Sequence, residues 1–114
     1  MLKVAEGRDF LDEVDDQVGS PTSAADLAKT ILTILPKIEN DTVEVFHYSN
    51  AGICSWYDFA KAIFEIEGLP IKVSPIESSL YSTPALRPFY SVLNKEKIKS
   101  MYGIKIPYWR NLKK

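Results

Sequence analysis

The sequence predicts a mixed α/β fold, an α+β-like small lobe of about four helices with short strands. Three observations carry that reading. Short β-rich runs alternate with stretches of helical periodicity, each helical stretch has its own start and stop signals, and a 46% hydrophobic content over 114 residues suffices for a modest core. The length fits one domain, residues 1–114, or a large fragment of one.

Leu2, Val4 and Ala5 form a short apolar face that ends at Gly7. Met1 to Glu6 reads as helix with no lead-in, which creates the expectation that something precedes it. Phe10 to Val14 predicts a brief strand, weakened by its acids, and Gly19-Ser20-Pro21 a turn. The next helix opens at Thr22 or Ser23, where Ser23 and Asp26 have capping-box spacing. Its apolar stripe is Ala24, Leu27, Ala28, Ile31 and Leu35, widened by Ile34, and Pro36 coincides with its end.

Val43 to Tyr48 is β-rich and predicts a strand, followed by a Ser49-Asn50-Ala51-Gly52 loop. Ser55 and Asp58 repeat the capping-box spacing and open the strongest helix. Trp56, Phe59, Ala60, Ile63 and Ile66 share one side of it, and Gly68 with Pro70 stops it. Ile71 to Ile76 reads as an edge strand because Pro75 removes a donor. Glu77 to Tyr90 is a loop stiffened by Pro84 and Pro88; Asn94 then caps a helix from Lys95 to Tyr102, stopped at Gly103.

Composition excludes several classes of function. A net charge of −1 offers no basic field for nucleic acid, and Lys95, Lys97 and Lys99 fit a solvated helix face. One cysteine, Cys54, forbids an intramolecular disulfide and fits a reducing cytoplasm. No apolar run approaches the ~18 residues of a membrane span. The five glycines, at 7, 19, 52, 68 and 103, are too scattered for a dinucleotide fingerprint or a P-loop, so no cofactor-binding residue is predicted. One histidine, His47, and scattered acids give no metal-ligand spacing; His47 is expected to be a hydrogen-bonded strand residue.

Tyr57 and Lys61 have the Tyr-x-x-x-Lys spacing used by short-chain dehydrogenases for proton transfer. Tyr57 stands in the first turn of its helix with no cofactor site beside it, so the pair is read as a decoy and no catalytic residue is assigned. Asp15 and Asp16, adjacent on an extended segment, point apart and are expected to be solvated. Gln17, Ser20 and Thr22 gather hydrogen-bonding groups beside a helix N-terminus, fitting either a hydroxylated or phosphorylated ligand or turn-and-cap duty. Arg87, between two prolines, fits a phosphate or carboxylate ligand or an acid of the same domain. Trp56 and Trp109 are read as core or interface residues.

The ordered segments "VDDQVGSPTSAADLA" (Val14 to Ala28), "FHYSNAGICSWYDFAKAIF" (Phe46 to Phe64) and "TPALRPFYSVLNKEKI" (Thr83 to Ile98) together resemble the C-terminal part of the dTDP-4-dehydrorhamnose reductases. These are extended short-chain dehydrogenases. The resemblance covers nearly the whole chain, and departs from the family at Asn94, where an Asp is also common. It implies a substrate-binding lobe whose Rossmann half, with the glycine fingerprint and the true Tyr-x-x-x-Lys pair, is absent.

The parent protein would then reduce the C4 ketone of dTDP-4-dehydro-L-rhamnose with NADPH or NADH, and this chain alone would be inactive. Its implied partners are a dTDP-sugar, contacted by Gln17, Ser20, Thr22 and Arg87, and the missing N-terminal domain. The surface left bare by that domain is expected to be apolar enough for self-association, which admits a homodimer. Two alternatives share the pattern: a non-catalytic regulatory subunit like that of methionine adenosyltransferase, and a stand-alone interaction module.

Overall fold

Strand β1 (Phe10–Val14) pairs in parallel with β4 (Lys72–Ile76), in a register that sets Leu11 beside Val73 and Glu13 beside Pro75. The computed structural model describes residues 7, 9–81 and 83–111. The helix expected over Leu2 to Ala5 lies outside them, so three α-helices are described rather than about four. The described residues divide into two compact units: one holds those up to Gly19 together with Ile53–Ser91, the other Ser20–Gly52 and the chain from Val92 onward.

In the first unit, α2 (Trp56–Glu67) packs across β1 and β4. Its core is Leu11, Ala60 and Phe64, with Ile63, Ile71 and Val73 packed against it. A complete capping box starts the helix. The Ser55 hydroxyl accepts the Asp58 N–H at 3.0 Å, and the Asp58 carboxylate accepts the Ser55 N–H at 3.0 Å. Gly68 ends it in the left-handed conformation. The buried side is Ala60, Ala62 and Phe64, rotated from the expected stripe, because the two strands sit beneath Phe64 and leave Trp56 and Ile66 exposed.

A second, two-residue ladder joins β2 (Val18–Gly19) antiparallel to β3 (Cys54–Ser55). Val18 also ties down the end of the long loop: its N–H donates to the Phe89 carbonyl at 2.8 Å, and its carbonyl accepts the Ser91 N–H at 2.9 Å. Most of Glu77 to Tyr90 is loop, as expected, apart from a 3-10 turn at Ser78–Leu80.

In the second unit, α1 (Ala24–Ile34) begins as its spacing predicts, with the Ser23 hydroxyl accepting the Asp26 N–H at 3.3 Å. The reciprocal half of the box is not made. The Asp26 carboxylate instead accepts the Asn50 side-chain amide at 2.8 Å. The apolar stripe of α1 is largely uncovered, with Ile31 and Leu35 exposed and Thr30 its buried residue. Amphipathic spacing marks a face that can be buried; it does not supply the surface that buries it.

Val43 to Tyr48 is irregular, which corrects the expected strand. β-propensity describes a side-chain fit to a pleated, half-buried surface, whereas a strand needs a ladder partner, and none of the described residues pairs here. The segment is pinned from the side by Lys97, whose ammonium donates to the Val45 carbonyl at 2.9 Å and the Glu44 carboxylate at 2.7 Å. Helix α3 (Glu96–Tyr102) starts one residue later than predicted, with the Asn94 side chain accepting the Glu96 N–H at 2.9 Å.

Asn50 is fully buried and organises this unit. Its side-chain oxygen accepts the Ser23 N–H at 2.7 Å, and its amide also donates to the Pro107 carbonyl at 3.2 Å. Ala51 bridges to Tyr108, and Gly52 follows with φ of +88°. A Cβ at Gly52 would run into the Tyr108 and Trp109 rings. Among the described residues no helix is long and apolar enough to cross a membrane.

Candidate functional site

A cavity of about 320 Å³ opens in the first unit, lined by Glu13, Val14, Gln17, Trp56, Tyr81, Thr83 and Arg87. Each wall follows from the local fold. Glu13 and Val14 close strand β1, and Gln17 occupies the link to β2. Trp56 is the first residue of α2, where the Ser55 cap fixes the backbone but no turn of helix lies above the indole. Tyr81 leaves the 3-10 turn, and Thr83 and Arg87 stand on the proline-stiffened loop.

That loop is anchored by Asp16. Its carboxylate accepts the Ser78 N–H at 2.9 and 3.0 Å and the Ser78 hydroxyl at 2.9 Å. Asp16 is therefore not the solvated acid that the sequence suggests, while Asp15 is exposed. Further along, the Thr83 hydroxyl donates to the Ala85 carbonyl at 2.8 Å and folds the backbone just before Arg87.

The cavity pairs opposite chemistries. Arg87 is exposed and makes no hydrogen bond or ion pair with any described residue, so its guanidinium is available to an anion. Glu13 is half-buried, and burial pushes its carboxyl above the ordinary glutamate range. Trp56 and Tyr81 are 44% and 48% exposed. Of the two tryptophans, Trp109 is core and Trp56 is not.

Two of the four sequence-predicted residues, Gln17 and Arg87, line this cavity together. Ser20 and Thr22 belong to the other unit. There the Ser20 hydroxyl donates to the Gly52 carbonyl, while Thr22 is exposed. Sequence reasoning missed Glu13, Asp16, Trp56 and Tyr81. An acid on a strand and an aromatic in a helix's first turn were signals available for Glu13 and Trp56; nothing in the sequence marks Tyr81.

Elsewhere the chemistry is structural. Lys61 lies 5.7 Å from the Tyr57 ring centroid, over its face. His47 is exposed and its side chain makes no hydrogen bond with a described residue, contrary to expectation. Cys54 is buried, and desolvation followed by the nearby Asp58 charge pushes its thiol up to about 11. Lys95 donates to the Ser49 hydroxyl at 3.1 Å and the Asn50 carbonyl at 2.9 Å; burial, then the charge of Lys99, holds its ammonium below the usual lysine range.

The chain's own glycines do not build a dinucleotide cradle. Gly19 lies in β2, Gly52 packs against aromatic rings, and Gly68 and Gly103 follow helix C-termini. A pyrophosphate cradle needs glycines between a strand end and a helix N-terminus, and the described helices begin after Ser23, Ser55 and Lys95 instead. No redox step is therefore assigned to these residues. Among the described residues, no group of histidine, cysteine and acidic side chains is placed to hold a metal ion.

A family model described as "RmlD substrate binding domain" matches residues 1–114. The spore coat polysaccharide biosynthesis protein SpsK of Bacillus subtilis is 41% identical over 110 residues, covering 96% of this chain and 37% of that protein. A dTDP-4-dehydrorhamnose reductase of Sinorhizobium fredii is 41% identical over 117 residues, covering 96% of this chain and 40% of that protein. Among solved structures, a dTDP-4-dehydrorhamnose reductase from Clostridium acetobutylicum superposes with a TM-score of 0.88 at 37% identity, over 97% of this chain and 39% of that one. Another, from Bacillus anthracis and in complex with NADP, gives 0.85 at 30% identity, over 96% of this chain and 37% of that one. The chain thus spans about two fifths of the length of these relatives.

Proposed function

Because the chain belongs to the RmlD substrate binding domain family, we propose that it is the sugar-nucleotide-holding part of an NAD(P)H-dependent dTDP-4-dehydrorhamnose reductase. In this reading the first-unit cavity holds part of a dTDP-sugar, and the whole protein reduces the sugar's C4 ketone. Gln17 and Arg87 bind and orient the ligand. Ser20 and Thr22 are further proposed contacts, Ser20 while keeping the hydrogen bond that shapes its turn.

One observation carries the proposal: Arg87 lines the cavity with Gln17 and has no partner among the described residues. A guanidinium tied to an acid of its own domain would be structural, whereas one left open at a cavity wall is suited to a phosphate. The matched reductases support the choice of a dTDP-sugar.

The test has two parts. The 114-residue chain, mixed with NADPH and dTDP-4-dehydrorhamnose, should not oxidise NADPH above the blank; turnover would overturn the assignment of the redox step to residues outside the chain. In the two-lobed protein, Arg87→Ala should raise KM for the sugar nucleotide roughly 10- to 100-fold, the scale of a lost charge-assisted hydrogen bond. An unchanged KM removes Arg87 from the site.

A further inference from the structure

The first-unit cavity contains more than a phosphate contact needs. Trp56 and Tyr81 both line it, both are close to half exposed, and neither ring stacks on another described aromatic ring. They stand on different elements, one at the start of α2 and the other beyond the Ser78–Leu80 turn. Large apolar rings left at the mouth of a cavity, beside an unpaired guanidinium, offer a planar ligand two π-faces and its charged end a partner.

The charge pattern orders these groups. Glu13 and Arg87 line the same cavity. An ionised Glu13 repels phosphate, so a nucleotide enters with its phosphates toward Arg87 and its uncharged end toward the remaining walls. Val14, buried at the end of β1, supplies an apolar patch there, and Gln17 supplies an amide able to donate and accept. At about 320 Å³ the cavity lies near the lower end of the ~300–1,000 Å³ range of ligand sites, room for one nucleotide rather than a dinucleotide.

We infer that Trp56 and Tyr81 form the stacking slot for the base of the nucleotide whose phosphates meet Arg87. This rests on the reading of the cavity as a sugar-nucleotide site and assigns it residues that determine ligand class. Asp16, through Ser78, is a positioning residue for the Tyr81 wall.

The experiment is calorimetric titration of the 114-residue chain with dTDP and, separately, inorganic pyrophosphate, with circular dichroism melts as the check on folding. Trp56→Ala and Tyr81→Ala should each weaken dTDP roughly 5- to 150-fold, the span measured for base–aromatic stacking. Both should leave pyrophosphate affinity unchanged. Trp56→Phe and Tyr81→Phe, which keep a ring, should retain most of the dTDP affinity. Arg87→Ala should weaken dTDP and pyrophosphate together.

Unchanged dTDP affinity in both ring-deletion variants, with loss in Arg87→Ala, would overturn the base slot while leaving the sugar-nucleotide reading intact. Weakening confined to dTDP-glucose, with dTDP itself unaffected, would place the hexose rather than the base against the rings and overturn it too. A folded wild-type chain that binds no dTDP at millimolar concentration would remove the broader reading, and this inference with it.

Discussion

Asp16 grips Ser78 by both its backbone and its side chain, with the N–H at 2.9 and 3.0 Å and the hydroxyl at 2.9 Å from the carboxylate. The two residues are far apart in sequence, so this clamp fixes where the loop carrying Tyr81 and Arg87 leaves the strand pair. Asp16→Ala should leave two donors of Ser78 without their partner and lower stability by about 1–3 kcal/mol. It should also weaken dTDP binding, although Asp16 does not line the cavity. Urea unfolding and calorimetry on the same variant check both effects; full stability with full affinity would show that the loop holds its place unaided.

Asn50 predicts a larger loss. Its fully buried side chain serves the Ser23 N–H, the Asp26 carboxylate and the Pro107 carbonyl at once. Asn50→Ala strands all three, and unmet buried groups cost about 1–3 kcal/mol each when water cannot reach them. Partial rehydration reduces the sum, so a drop of about 3 kcal/mol in the urea-derived stability is expected. Asn50→Asp should also destabilise, because it sets a second carboxylate against Asp26.

The capping box of α2 should behave as a coupled pair. Ser55→Ala and Asp58→Ala are each expected to cost about 1 kcal/mol, since each removes one hydrogen bond and weakens its reciprocal. The double variant should then cost less than the sum. A double-mutant cycle by thermal melting measures that coupling, and strict additivity would mean that the two bonds form independently.

Cys54 should resist thiol reagents. The residue is buried, and with its thiol pushed up to about 11 almost no thiolate exists near neutral pH. Ellman's reagent should react slowly with the native chain and rapidly once denaturant is added. A thiol raised above its unfolded value of 9.0 contributes stability below that value, and the contribution is lost as pH climbs through about 11. Stability should therefore decline over that alkaline window, and less so in Cys54→Ala.

Glu13 carries the opposite consequence for neutral pH. Burial raises its folded value above the unfolded one, so its contribution is fully favourable only below the unfolded value and is lost as pH rises through the folded one. At neutral pH the ionised carboxylate strains the fold. Glu13→Gln should raise the melting temperature at pH 7, and the gain should shrink once the pH falls below the ordinary glutamate range. Melts at neutral and acid pH decide it.

Local signals were legible wherever one segment contains its whole cause. The Ser55–Asp58 box, the Ser23 cap and the glycine ends of α2 and α3 follow from adjacent residues, and all are observed. Gln17 and Arg87 were visible as polar groups with no obvious local duty, and the cavity brings them together. Long-range partners were not legible. Asp16 looked solvated because Ser78 is distant in sequence, and Asn50 looked like an ordinary loop residue because Ser23, Asp26 and Pro107 are scattered along the chain. Val43 to Tyr48 has the composition of a strand, but composition cannot provide a neighbour to pair with.

Gly52 constrains how this sequence can drift. With φ of +88° and the Tyr108 and Trp109 rings filling the space a methyl group would need, alanine there is excluded by both backbone and neighbours. Shrinking the two rings first would clear the steric obstacle but not the torsional one. No order of single replacements therefore opens a smooth route away from glycine, and a lineage reaching this arrangement is committed to it unless the turn itself is rebuilt.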